Sequence, residues 1–75
     1  MIIQLTRAIE PFGLKTLSKA RVETDNICFY ERVERIIDFS PERKEEFTLI
    51  VFKGGESLFA KEMPEEIDLL IKKEE

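Results

Sequence analysis

Residues 47–73 read FTLIVFKGGESLFAKEMPEEIDLLIKK, and the order strand, tight turn, strand, helix within them decides the fold. Residues 47–52 are a run of aromatic and β-branched side chains, Gly54 and Gly55 supply the positive φ angles of a two-residue hairpin turn, and residues 56–61 form the return strand. Pro64 suits a first helical position, where its missing N–H has no partner to lose. Glu65 and Glu66 then stand at the end of the helix dipole that favours anions, and Lys72 and Lys73 at the end that favours cations. Met63, Ile67, Leu70 and Ile71 recur at the spacing of one buried helix face.

The first strand of this unit carries a second expectation. Phe47, Leu49 and Val51 alternate with Ile50 and Phe52, so both of its faces are apolar. One face packs on the closing helix, and the other meets another sheet or another subunit; a sheet curled into a barrel within one chain is the alternative. An oligomer interface through Ile50, Val51 and Phe52 is preferred, because one short helix and a few strands offer little material to cover two faces.

Upstream, residues 2–7 open as a short strand with Ile3 and Leu5 on one face, and residues 8–13 form a loop broken by Pro11 and Gly13. Residues 14–23 fit a short helix through Leu14, Leu17 and Arg21 or a strand ending in ARVE, and the strand near Arg21 and Val22 is preferred. Two periods compete over residues 27–39. Ile27, Phe29, Val33, Ile37 and Phe39 alternate as in a strand, while Phe29, Val33, Ile36 and Ile37 line a helix. The β-branched and aromatic content favours a strand, which would run about 40 Å and must bend, bulge or project as an arm. Residues 38–46, with Ser40, Pro41 and a dense charged run, read as a loop. The expected fold class is α+β, mostly β: a small antiparallel sheet or partly open barrel of four to five strands with one C-terminal helix, in a single domain over residues 1–75.

A core of this size supplies only about 3–5 kcal/mol, so a chain of 75 residues needs a staple. Cys28 is the only cysteine and histidine is absent, which removes an internal disulfide and the common zinc-ligand sets. Self-association remains, and a homo-oligomer is expected. The opening MIIQLTRAIE lacks the basic start and sustained apolar core of a secretory signal, and no segment is long enough to cross a bilayer. A cytoplasmic location and no membrane partner are expected.

The formal charge of −4 is uneven: residues 1–22 carry four bases against Glu10 alone, whereas residues 23–75 carry eight bases against fifteen acids. An acidic chain is a poor partner for nucleic acid. A small anion fits better. Lys15, Lys19 and Arg21 are the candidate phosphate contacts, with Phe12 or Tyr30 available to stack on a base; an ordinary solvated cationic edge is the plainer reading. No catalytic set emerges. Glu31 with Glu34, or Glu62 with Glu65, are carboxylate pairs on a highly charged surface, Cys28 has no histidine to activate it, and neither an EF-hand spacing nor a phosphate-binding glycine loop is present. No metal and no cofactor are expected.

Several of these residues resemble the FlbD-like family, which comprises a small flagellar-operon protein and related small proteins of bacteria and phages. Leu5-Thr6-Arg7 is similar to the family's opening strand, and Asn26-Ile27 to the asparagine-containing turn before its second strand. Thr48, Ile50 and Phe52 followed by Gly55 look like its alternating strand and glycine turn. Lys61-Glu62 with Glu65, Glu66, Ile67 and Ile71 look like its last strand and closing helix. The likeness runs from about Asn26 to Lys73, with a short anchor before it. Residues 8–19 and 32–46 are longer than the corresponding family segments, and Ala60 stands where a larger apolar residue is expected. Leu5-Thr6-Arg7 and Glu65-Glu66-Ile67 are also similar to CsrA, a small dimeric RNA-binding regulator, but Met63 and Pro64 stand where that family places a basic residue.

The resemblance implies a non-enzymatic role in a bacterial or phage-infected bacterial cell. The leading expectation is a small oligomeric binding or adaptor protein that contacts a protein partner. The alternatives are a sequestering protein that holds an anionic nucleotide-like signal between subunits and an RNA-binding regulator.

Overall fold

The computed structural model describes residues 1–9 and 17–74. Five strands are followed by one helix: β1 (Ile2–Ala8), β2 (Leu17–Glu23), β3 (Ile27–Phe39), β4 (Glu42–Phe52), β5 (Ser57–Ala60) and α1 (Pro64–Glu74). The strands form one open antiparallel sheet in the order β2-β1-β5-β4-β3. Among the described residues the fold is mostly β with a single C-terminal helix, and residues 47–73 follow the order strand, turn, strand, helix.

The hairpin of β4 and β5 pairs Val51 with Ser57 and Thr48 with Ala60, but its turn is not the two-residue form. Gly55 N–H donates to the Phe52 carbonyl at 2.9 Å and Phe52 N–H to the Glu56 carbonyl at 2.8 Å, which makes a three-residue loop. Of the two turn glycines only Gly55 takes a positive φ, of 92°, so one glycine rather than two serves the turn. After β5 the chain turns under the sheet into α1. The Met63 carbonyl accepts the first helical bonds from Glu66 N–H and Ile67 N–H, and Pro64 occupies the first helical position.

Ile67 is the fully buried side chain of α1, and Leu70 and Ile71 flank it. They close a core built from Ile3, Leu5, Val22, Ile50 and Ala60 on one face of the sheet. This corrects the expected interface. Ile50 is fully buried beneath the helix and offers no surface to a second copy, while Phe52, half-buried, packs against the same cluster. Val51, half-buried, lies on the opposite face of β4.

Glu62 ties the entry of α1 to two strands. Its Oε1 accepts the Thr6 N–H at 2.8 Å, and its carbonyl accepts the Thr48 hydroxyl at 2.6 Å. Thr48 is fully buried, and this bond satisfies its hydroxyl.

Residues 27–39 are strand throughout, which resolves the period conflict against the helix. Register shifts near Cys28 and Ile37 bend the strand as its length demanded. Residues 42–46, read from composition as loop, are strand β4 instead. Across the hairpin Arg35 stands opposite Glu45 and Asp38 opposite Arg43, and opposite charges in register favour a strand that local propensity disfavours.

Candidate interaction surface

The strands β3 and β4 outrun the rest of the sheet. β5 reaches β4 only from Thr48 to Val51, so the hairpin beyond Val33 and Phe47 continues as a two-stranded arm that turns at Ser40 and Pro41. The arm extends about 20 Å at the rise of a β-strand, roughly half of the molecule's 43 Å long axis. A two-stranded ribbon is marginal in water by itself. Here its root is held from both faces of the sheet.

On the helix side, Arg32 Nη2 donates to both carboxylate oxygens of Glu65, at 2.6 and 2.7 Å, and Arg32 Nε lies 3.3 Å from Glu46. Glu34 and Glu46 oppose each other across the ladder, a like-charge pair that destabilises a sheet unless neighbours offset it. Arg32 reaches Glu46, and Lys44 Nζ stands 3.8 Å from Glu34 and 3.9 Å from Glu42. On the other side, Lys61 pairs with Glu45 while its ammonium lies 5.2 Å from the centre of the Phe47 ring. The Arg35 guanidinium lies 5.3 Å from the centre of the Phe59 ring, and the Phe47 and Phe59 rings meet edge to face.

β3 leaves large apolar side chains uncovered among its exposed charges. Phe29, Ile36 and Phe39 on β3 are 47 %, 37 % and 81 % exposed. β3 is also the last strand of the sheet, paired with β4 on one side only. Such an edge presents a row of backbone donors and acceptors ready to pair with another strand.

Of the residues proposed for anion binding, Lys19 and Arg21 lie together and Tyr30 stands apart from them. Phe12 and Lys15 lie outside the described residues. Lys19 and Arg21 project from the same face of β2, opposite Thr6 and Gln4 of β1, and both are exposed. Tyr30 lies on β3, at the other end of the strand order, and its hydroxyl donates to Asp68 of α1. Burial, then the Asp68 hydrogen bond and charge, push its phenol up to about 12. The hollow beside Tyr30, of about 390 Å³, is lined by Met1, Asp25, Ile27, Cys28, Phe29 and Ile71, and neither Lys19 nor Arg21 lies on it.

The carboxylate pairs separate as well. Glu31 and Glu34 stand three residues apart on β3 and fall on opposite faces of the sheet. Glu65 is held by Arg32, and Glu62 by Thr6 and Thr48. Cys28 is exposed. Among the described residues no group of three or more acidic or cysteine side chains is arranged to hold a metal ion, and no helix is long and apolar enough to cross a membrane.

The arm was hidden from composition because its strand β4 looks like a charged loop. The signal that could have found it is the mixture of opposite charges in both residues 31–35 and residues 42–46, on either side of Ser40 and Pro41. Comparison with protein families, with curated proteins and with solved structures finds no match to this chain.

Proposed function

We propose that this chain is a non-enzymatic, self-associating binding module of the FlbD-like kind that acts in the cytoplasm as an adaptor for a protein partner. The observation that carries the proposal is β3, a 13-residue edge strand with Phe29, Ile36 and Phe39 exposed along it. A strand of that length and character is a docking element, because a protein that stays alone blunts or covers such an edge. The polar groups around it support the same reading. Tyr30, Arg32, Glu62 and Glu65 are engaged in holding the helix to the sheet, which is scaffold work. The segment that exceeds the FlbD-like pattern, residues 32–46, coincides with the arm.

Native mass spectrometry of protein purified from cells, followed by denaturation of the same sample, tests this. A defined oligomer without added mass supports the adaptor, and a monomer at every concentration overturns it. One observation favours a second reading, the sequestration of a small anion: Lys19 and Arg21 are exposed side by side and make no ion pair among the described residues. An oligomer that releases an anionic species would support that reading instead.

A further inference from the structure

The sequence of β3 is self-complementary about Val33. In Glu31-Arg32-Val33-Glu34-Arg35, a second copy running antiparallel meets each charge with its opposite, Glu31 with Arg35 and Arg32 with Glu34. The same register sets Tyr30 opposite Ile36. We infer that two copies of this chain pair through β3, antiparallel, with a twofold axis at Val33, and so extend the five strands into a ten-stranded sheet. This rests on the proposed self-association and names its surface.

Three observations support the register. The first is that β3 forms an edge of the sheet, so its outer side is open to a strand. The second is regularity: the register shifts lie between Ile27 and Phe29 and between Ile36 and Asp38, which leaves residues 29–36 as an unbroken ladder. The seven pairs from Tyr30 to Ile36 fit within that window. The third is exclusion. A twofold axis normal to the sheet keeps each side chain on its face, so the axis must pass through a residue. Placed at Glu31 or Glu34 it sets carboxylate on carboxylate, and at Arg32 or Arg35 guanidinium on guanidinium. Among residues 31–35, Val33, half-buried and uncharged, is the centre without a like-charge clash; an axis at Phe29 or Tyr30 carries the pairing into the irregularity at Cys28, and one at Ile36 sets Glu34 against Asp38.

The charges on these pairs are not wholly occupied within the chain. The Glu31 carboxylate makes no ion pair or hydrogen bond among the described residues, and the Glu34 carboxylate is reached only by Lys44, at 3.8 Å. Arg35 lies over an aromatic ring rather than on a carboxylate, and Arg32 has Glu65 and Glu46 on its own chain. The pairing therefore offers Glu31 a cation that its own chain does not.

Cysteine placement tests the register directly. Directly opposed residues of antiparallel strands have Cα atoms about 4.5–5.5 Å apart, within the range a disulfide spans. In a Cys28→Ser background, which removes the sole native thiol, single cysteines are placed in turn at positions 29, 31, 33 and 35. The full chain is then oxidised mildly and weighed. Position 33 opposes itself and should give covalent dimer. Positions 31 and 35 oppose each other, so either alone lies about 13 Å from its own copy and should not cross-link. Glu31→Arg, measured by native mass spectrometry without any cysteine change, should weaken the dimer roughly tenfold or more, because it opposes two cations at both symmetric sites. A dimer that cross-links best at a position other than 33, or that keeps its affinity in Glu31→Arg, would overturn the register and leave self-association standing. A ladder of larger species would overturn the closed twofold in favour of head-to-tail edge pairing. A monomer at every concentration would overturn both.

Discussion

Truncating Ile67 should undock the closing helix. A helix of 11 residues is marginal alone in water, so α1 exists because it is docked. Two kinds of contact dock it, and their magnitudes differ. The Arg32–Glu65 pair has side chains that are 47 % and 67 % exposed, and a pair so solvated contributes about 0–1 kcal/mol. Ile67 is fully buried between β1, β4 and β5 residues of the core, and an alanine there loses both the transfer energy and the packing, about 2–5 kcal/mol. The whole chain, at the usual stability per residue, holds about 4–11 kcal/mol. Ile67→Ala should therefore remove a large share of the total, whereas Leu69→Ala, at a position 66 % exposed, should change it by no more than about 0.5 kcal/mol. Urea unfolding followed by circular dichroism measures both variants. Protein concentration must be held fixed, because self-association makes apparent stability depend on it. The sole tyrosine gives a second readout, since Tyr30 bonds α1 through Asp68 and its phenol should titrate closer to its ordinary value once the helix leaves. If Ile67→Ala lies within about 0.5 kcal/mol of Leu69→Ala, the helix is not anchored as described.

The hairpin turn and the tyrosine provide sharper local tests. Gly55→Ala should cost about 1–2 kcal/mol, because a side chain is strained at φ 92°, while Gly54→Ala should be nearly neutral, its added Cβ meeting only Glu56 Oε1 at 3.6 Å. Equal melting temperatures for the two variants would show that the turn is not the three-residue form. Tyr30 has its folded pKa raised to about 12 against an unfolded value near 10, so the stability it contributes is fully present below about pH 10 and is lost as pH rises towards about 12. Because the chain has one tyrosine and no tryptophan, phenolate absorbance reports this group alone. Asp68→Asn should lower the midpoint and still leave it above the unfolded value, since burial is the larger cause; the same midpoint in native and urea-unfolded wild type would refute the contact.

The legible parts of this fold are those where the physical signals do not conflict. In residues 47–73, β propensity, turn glycines, Pro64 and the spacing of Ile67, Leu70 and Ile71 all agree, and the structure follows them. Ile3 and Leu5 alternate in the same uncontested way. Residues 42–46 failed because local composition and cross-strand pairing point in opposite directions, and pairing wins only once Arg35 and Asp38 are known to lie opposite. Ile50 failed as an interface residue for a related reason. Two apolar faces on β4 say that both are covered or shared, but only the path of the chain after Gly55 decides which one α1 takes. The anion site combined basic residues close in sequence with aromatic side chains; Lys19 and Arg21 share a face of β2, whereas Tyr30 lies on β3 at the other edge of the sheet.

The arm raises a question that its charges answer. Charged side chains on an edge strand ordinarily prevent edge-to-edge pairing, and β3 carries five of them between Glu31 and Asp38 together with exposed phenylalanines. Their order matters more than their number. A two-residue slip from Val33 in either direction puts the axis on Glu31 or Arg35, and a one-residue slip puts it on Arg32 or Glu34, so each neighbouring register begins with like charges in contact. The pattern thus acts as a barrier to every arrangement near the matched one. The opposite edge behaves differently. On β2, Lys19 and Arg21 flank Ala20, and a twofold axis there would set lysine against arginine on both sides. An edge that pairs with itself in one register, and another whose midpoint repels its own copy, together favour a sheet that extends once and stops. That is the arrangement expected of a closed dimer rather than a growing fibre.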